Sequence, residues 1–204
     1  KANVTAVYAF NSLVNNLPEL KEIYQLDPTS PLLELLSIRE INKLEEKYLH
    51  PSIQQLKGKK LIYSWNLFSW DYENANYDSL YNESKQQTKE MISFYHQLAQ
   101  DKRIANRGLF EVAAAYAAYM SKDLNHAREY LRIAKEMTLT SAVKDQWMLT
   151  SLLVSINEKG QLDASFEEEL LPAIEWLESK AKKDDEWRKF YRNVFTEILA
   201  VQYS

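Results

Sequence analysis

Residues 108–141 read GLFEVAAAYAAYMSKDLNHAREYLRIAKEMTLTS, and this stretch decides the fold. Its first half is a nine-residue apolar run from Val112 to Met120, rich in alanine, the strongest helix former. Asp123 then stands at an N-cap position, and Ala127, Leu131 and Ala134 recur at helical spacing beyond it. Small side chains let helices approach closely, so the stretch reads as a helical hairpin with a tight interface. The rest of the chain agrees. Its 204 residues include three glycines and five prolines, where average usage would give roughly fourteen and ten. That scarcity disfavours sandwiches, barrels and nucleotide-binding α/β folds, whose tight turns need residues tolerant of positive φ. The expected fold is all-α, with antiparallel helix hairpins joined by short polar loops.

Composition excludes several kinds of chemistry. With no cysteine there is no thiolate nucleophile, disulfide framework, thiolate-bound zinc or iron–sulfur cluster. A formal net charge of −4, from 25 Lys+Arg against 29 Asp+Glu, argues against a nucleic-acid partner. The longest apolar run falls far short of the roughly 20 residues that span a bilayer, so no membrane span is expected. The chain opens at Lys1 inside a helical pattern, without the charged head and apolar stretch of a signal peptide. It is read as one helical domain over residues 1–204, a piece of a longer protein.

Punctuation along the chain places eight or nine helices. A ragged apolar pattern covers residues 3–16, and Pro18 opens a short helix through Tyr24. Ser30 followed by Pro31 is a clean start signal, leading into a stripe of Leu33, Leu36, Ile38, Ile41, Leu44 and Tyr48 that His50 and Pro51 end. Residues 51–83 form an irregular, aromatic-rich connection. Helices are expected over 82–100 and 104–120, then over 124–137 capped by Asp123 and over 141–158 capped by Thr140, with Gly160 as a stop. Ser165 and Glu168 form a capping-box signature for a helix through Lys180. Lys180, Lys182 and Lys183 close that helix and Asp184, Asp185 and Glu186 open the last, each set complementing a helix dipole. In the last helix Trp187, Phe190, Tyr191, Val194, Phe195, Ile198 and Leu199 make one wide apolar face, as a docking helix would.

One helix pair resembles a tetratricopeptide repeat. Ala115, Ala118, Leu124, Ala127, Leu131 and Ala134 match that repeat's small and large packing positions over about residues 108–141. Ala115 replaces its preferred glycine, Ala118 its tyrosine, Lys122 its turn glycine and Leu139 its closing proline. The likeness extends loosely over some 100 residues and does not reach residues 1–80. It implies hairpins stacked as a right-handed superhelix that works as a non-catalytic protein-interaction scaffold. It also implies an inner, ligand-facing side carrying Leu109, Val112, Tyr116, Tyr119 and Met120, where apolar and tyrosine side chains grip a protein or peptide. These residues also suit a packed helix interface, which a nine-residue apolar run needs in any case. The general texture is also similar to helical-repeat proteins of bacterial envelopes, which tilts localisation toward the envelope or periplasm.

An alternative function comes from composition. Seven aromatics lie between Tyr63 and Tyr81, and Trp65, Trp70 and Tyr72 can form a stacking platform for a sugar or a peptide proline, as in a glycan-binding or envelope assembly module. The same rings can seal a connection onto a core. Other patterns read as structure. Asp184 and Asp185 begin an acidic magnesium motif, but Arg188 occupies the third carboxylate's place. Glu167, Glu168 and Glu169 sit in a first helical turn. The lysines at 57, 59 and 60 read as a solvated turn. His50, His96 and His126 lie on separate elements without metal-ligand spacing, and no phosphate loop or nucleophile motif occurs. No catalytic residue, cofactor or metal site is expected.

Overall fold

The computed structural model describes Thr5 and residues 15–45, 77–159 and 163–200. Most of the expected first helix, His50, residues 51–76 of the connection and Gly160 lie outside the described residues. The chain divides into two compact units, Lys1–Val143 and Lys144–Ser204. All regular structure among the described residues is helical.

In the first unit, α1 (Leu17–Leu26) has proline in its opening turn, where a missing N–H leaves no helical bond unmade. It buries Leu17, Leu20 and Ile23. Asp27 ends it and folds back on Thr29, accepting from the Thr29 backbone N–H at 3.0 Å and hydroxyl at 2.7 Å. Ser30 and Pro31 then start α2 (Pro31–Leu44) at the expected point, although the Ser30 hydroxyl makes no capping bond. Helix α3 (Tyr77–Gln100) begins inside the segment expected to be irregular. Its buried residues Met91, Phe94, Tyr95 and Leu98 face inward at helical spacing.

The alanine-rich run becomes α4 (Arg107–Met120), followed by α5 (Leu124–Lys135). Helix α4 packs against α2, α3 and α5, and α1 packs against α2. Ala114, Ala115, Ala117 and Ala118 are fully buried on one side of the α4–α5 hairpin, and Ala127 and Ala134 on the other. Asp123 caps α5 as expected, accepting from the His126 backbone N–H at 3.2 Å. Lys122, where the repeat pattern prefers glycine, has φ 63°, a left-handed conformation that costs an L residue about 1–2 kcal/mol. The turn therefore needs the geometry that glycine would supply freely.

Most of α6 (Ser141–Lys159) belongs to the second unit, with α7 (Ala164–Ala181) and α8 (Asp185–Asn193). Thr140 caps α6, accepting from the Val143 N–H at 3.3 Å. The cap of α7 differs from expectation. Asp163, two residues ahead of Ser165, accepts from the Phe166 N–H at 2.9 Å, leaving Ser165 inside the first turn. Lys180 joins the three helices: its ammonium meets Asp145 at 2.5 Å and lies 5.5 Å from the centre of the Trp187 ring. The last helix is not one continuous α-helix. After Asn193 it widens into a π turn, Val194–Leu199, whose longer repeat puts Val194 and Leu199 on the buried side while Ile198 stays half-buried.

Ala127 has no room for a larger side chain. Ala127→Leu is expected to destabilise the first unit by about 1–3 kcal/mol through overpacking, measured by urea unfolding; an unchanged midpoint would contradict the tight α4–α5 interface.

Candidate functional site

Glu111 is the one charged side chain in α4 that is wholly buried, between Phe110 and Val112. A carboxylate removed from water needs a partner. The Nδ1 of His96, on α3, lies 3.0 Å from each of its oxygens. The Glu111 side chain has no exposure, whereas the imidazole is 37% exposed, so this pair has one dry end and one wet end. An ionised carboxylate only accepts. With Glu111 ionised, Nδ1 is the donating nitrogen.

Helix α5 closes the cluster. The Tyr130 ring lies 5.0 Å from that of His96 and 6.1 Å from that of His126. His126 in turn pairs through Nδ1 with Asp123 at 2.7 Å, in the open. Burial pushes the Glu111 carboxyl above its ordinary range, nearby Glu129 adds to this, and His96 opposes it. Burial likewise raises the Tyr130 phenol, helped by the negative charges of Glu111 and Asp123. Glu129 is held in its charged form by Arg132, which donates to it at 2.8 and 3.0 Å. The fold thus gathers His96 and His126, far apart in sequence, around one tyrosine ring. Among the described residues no group of three or more histidine, aspartate or glutamate side chains is placed to hold a metal ion.

The residues that the repeat resemblance assigns to a ligand-facing side are buried: Val112, Tyr116, Tyr119 and Met120 are 2–9% exposed, and Leu109 is half-buried. Tyr116 and Tyr119 stack with ring centres 6.1 Å apart, and the Tyr116 hydroxyl donates to Glu45 at 2.6 Å. Burial raises the Glu45 carboxyl while this bond lowers it. Trp65, Trp70 and Tyr72 lie outside the described residues, as do the lysines at 57, 59 and 60. Asp184 caps α8, accepting from the Glu186 and Trp187 N–H groups. Asp185 pairs with Arg188 at 2.8 Å, so the acidic pair serves the helix terminus.

Helix α2 departs from the usual inside-out pattern. Its inward face buries Ser37, Glu40 and Lys43 beside Leu33, Leu36, Ile41 and Leu44. Lys43 pairs with Glu40 and donates to the Asn16 side chain at 2.7 Å, and the Asn16 N–H donates to Glu40 at 3.3 Å. Tyr95, on α3, donates its hydroxyl to the Ser37 carbonyl at 2.9 Å. The outward face carries Leu35 and Ile38, 51% and 46% exposed, in line with exposed Pro31.

No family model, no curated protein and no solved structure matches the chain.

The Tyr116–Glu45 bond gives a test of packing in the first unit. Tyr116→Phe is expected to destabilise it by about 1–3 kcal/mol near neutral pH. The loss should shrink in acid, where Glu45, with its raised carboxyl, is neutral. Urea titrations at two pH values measure this, and an equal loss at both would contradict the role of the charged carboxylate.

Proposed function

We propose that the chain is a non-catalytic helical scaffold, its hairpins stacked in a tetratricopeptide-like manner, that binds a partner protein. The observation that carries this reading is the exposed apolar ridge of α2, opposite a buried face that holds Glu40 and Lys43 among leucines. Charged groups lie on its inward side, satisfied by Asn16 and by one another, while leucine and isoleucine face water. Pro31, Leu35 and Ile38 follow a spacing of four and three, so they form one ridge along the helix. Such a ridge fits the groove of an amphipathic helix on another protein. The tight α4–α5 hairpin supports the stacking, because its buried alanines occupy the small packing positions of the repeat. Val112, Tyr116, Tyr119 and Met120 then belong to the interior that holds α2 in place.

The experiment is capture with the intact chain as bait, paired with a Leu35→Ser/Ile38→Ser double variant whose helicity and melting temperature are checked first. A partner retained by the native chain should bind the double variant at least about tenfold more weakly, since each apolar side chain buried contributes about 1.5–3 kcal/mol. Equal binding by the folded variant would contradict the α2 surface. Tryptophan quenching by an oligosaccharide, lost on replacing Trp65 or Trp70, would move the function to the aromatic segment.

A further inference from the structure

Helix α7 presents an outward face that the packing of its own unit does not explain. Leu171 is 53% exposed, more than any other large apolar side chain among the described residues, and Pro172 beside it is exposed as well. A proline inside a helix has no N–H for the carbonyl four residues back, here that of Glu168, and its ring crowds that carbonyl. Burial offsets neither cost. Glu168, Glu169 and Glu175, all exposed, flank the pair at helical spacings of three and four. They lie beyond the first turn of α7, whose acidic residue is Glu167, so the helix dipole, which acts over that turn, does not account for them.

No lysine or arginine occurs from Asp163 to Ser179. The cations at either end of the helix are engaged, Lys159 with Asp163, Lys180 with Asp145 and Lys182 with Glu178. Among the described residues none pairs with Glu168, Glu169 or Glu175. An apolar side chain set between these carboxylates restricts what can cover it. A purely apolar partner would strip water from the glutamates and give nothing back, and an anionic lipid surface would be repelled. We infer that this face docks a cationic amphipathic helix of another protein, an apolar side chain of which meets Leu171 and Pro172 while lysine or arginine side chains pair with Glu168 and Glu175.

The spacing sets the pattern of the partner. Glu168 and Glu175 stand two turns apart, about 10 Å along the helix axis, so the partner's cations are two turns apart with the apolar residue between them. A cation at the Glu168 end can also give that residue's carbonyl the donor that Pro172 lacks. Glu169 widens the negative rim on the Pro172 side. This surface is distinct from the ridge of α2 and does not rest on it. Helix α2 has no exposed charged side chain, and its Glu34 accepts from Asn106. Binding at α7 therefore weakens as salt screens its ion pairs, whereas binding at α2 has no such dependence.

The probe is a dye-labelled synthetic helix of about 18 residues, with a stripe of leucines and lysines placed one turn to either side of the central leucine. A peptide of the same composition in scrambled order is the control, and fluorescence anisotropy with the intact chain reads both. The patterned peptide should bind at least about tenfold more tightly than the scrambled one, and less tightly as salt is raised. Leu171→Ser should weaken it about tenfold through the loss of one buried leucine. Glu168→Gln/Glu175→Gln should weaken it about fivefold and flatten the salt dependence, since two exposed ion pairs are lost. Glu22→Gln/Glu136→Gln, which removes the same charge elsewhere, and Leu35→Ser/Ile38→Ser should leave it unchanged. Melting temperatures establish that each variant is folded; if Leu171→Ser is not, the paired glutamine variant decides. Absence of binding, equal binding of the two peptides, or equal binding by the α7 variants and the native chain would overturn the inference. Capture by phosphatidylcholine vesicles instead of the peptide, lost in Leu171→Ser, would overturn it in favour of a lipid surface.

Discussion

Helix α4 is enclosed on three sides, by α2, α3 and α5, and the first unit depends on that enclosure. A helix with neighbours at close range must be built from small residues, which accounts for Ala114, Ala115, Ala117 and Ala118. It also leaves little water for anything polar. Glu111 must find its partner on another helix, and the Tyr116 hydroxyl must reach Glu45. The polar contacts of the first unit are thus consequences of its packing. They select one arrangement of helices, since a shift of a turn would strand a buried carboxylate or hydroxyl.

The local grammar of the chain was readable from residues alone. Asp123, Thr140 and Pro31 mark helix starts that depend only on near neighbours, and the change from Lys182 and Lys183 to Asp184 and Asp185 separates α7 from α8. Capping is a contact over two or three residues, so spacing reveals it. Where two nearby candidates compete, spacing is a weaker guide: Asp163 wins the N-cap of α7 because the helix begins a residue before Ser165.

Contacts between helices were not readable in the same way. His96 and Glu111 are 15 positions apart on different helices, and helical periodicity orders residues only within one element. The available signal was Glu111 itself, a lone charge set against an apolar run. The mixed face of α2 was hidden for a related reason. Leu33, Leu36, Ile38, Ile41 and Leu44 read as one stripe, but Leu36 and Ile38 are two residues apart on a helix and point in different directions. The structure buries Leu36 and exposes Ile38, and sets Glu40 and Lys43 among the leucines of the inward side. A salt-bridged pair can occupy a core position that hydrophobicity assigns to leucine, at an energetic balance close to neutral.

These features describe a rigid centre with an apolar ridge on one of its outer helices. Native-state hydrogen exchange tests the centre most directly, because amides released only by global unfolding identify the helices on which the rest is built. The amides of α4 should be the slowest to exchange in the chain, at the rate set by global unfolding, whereas those of α8, which buries none of its residues, should exchange through local opening. Exchange of α4 as fast as α8 would contradict the central place given to that helix.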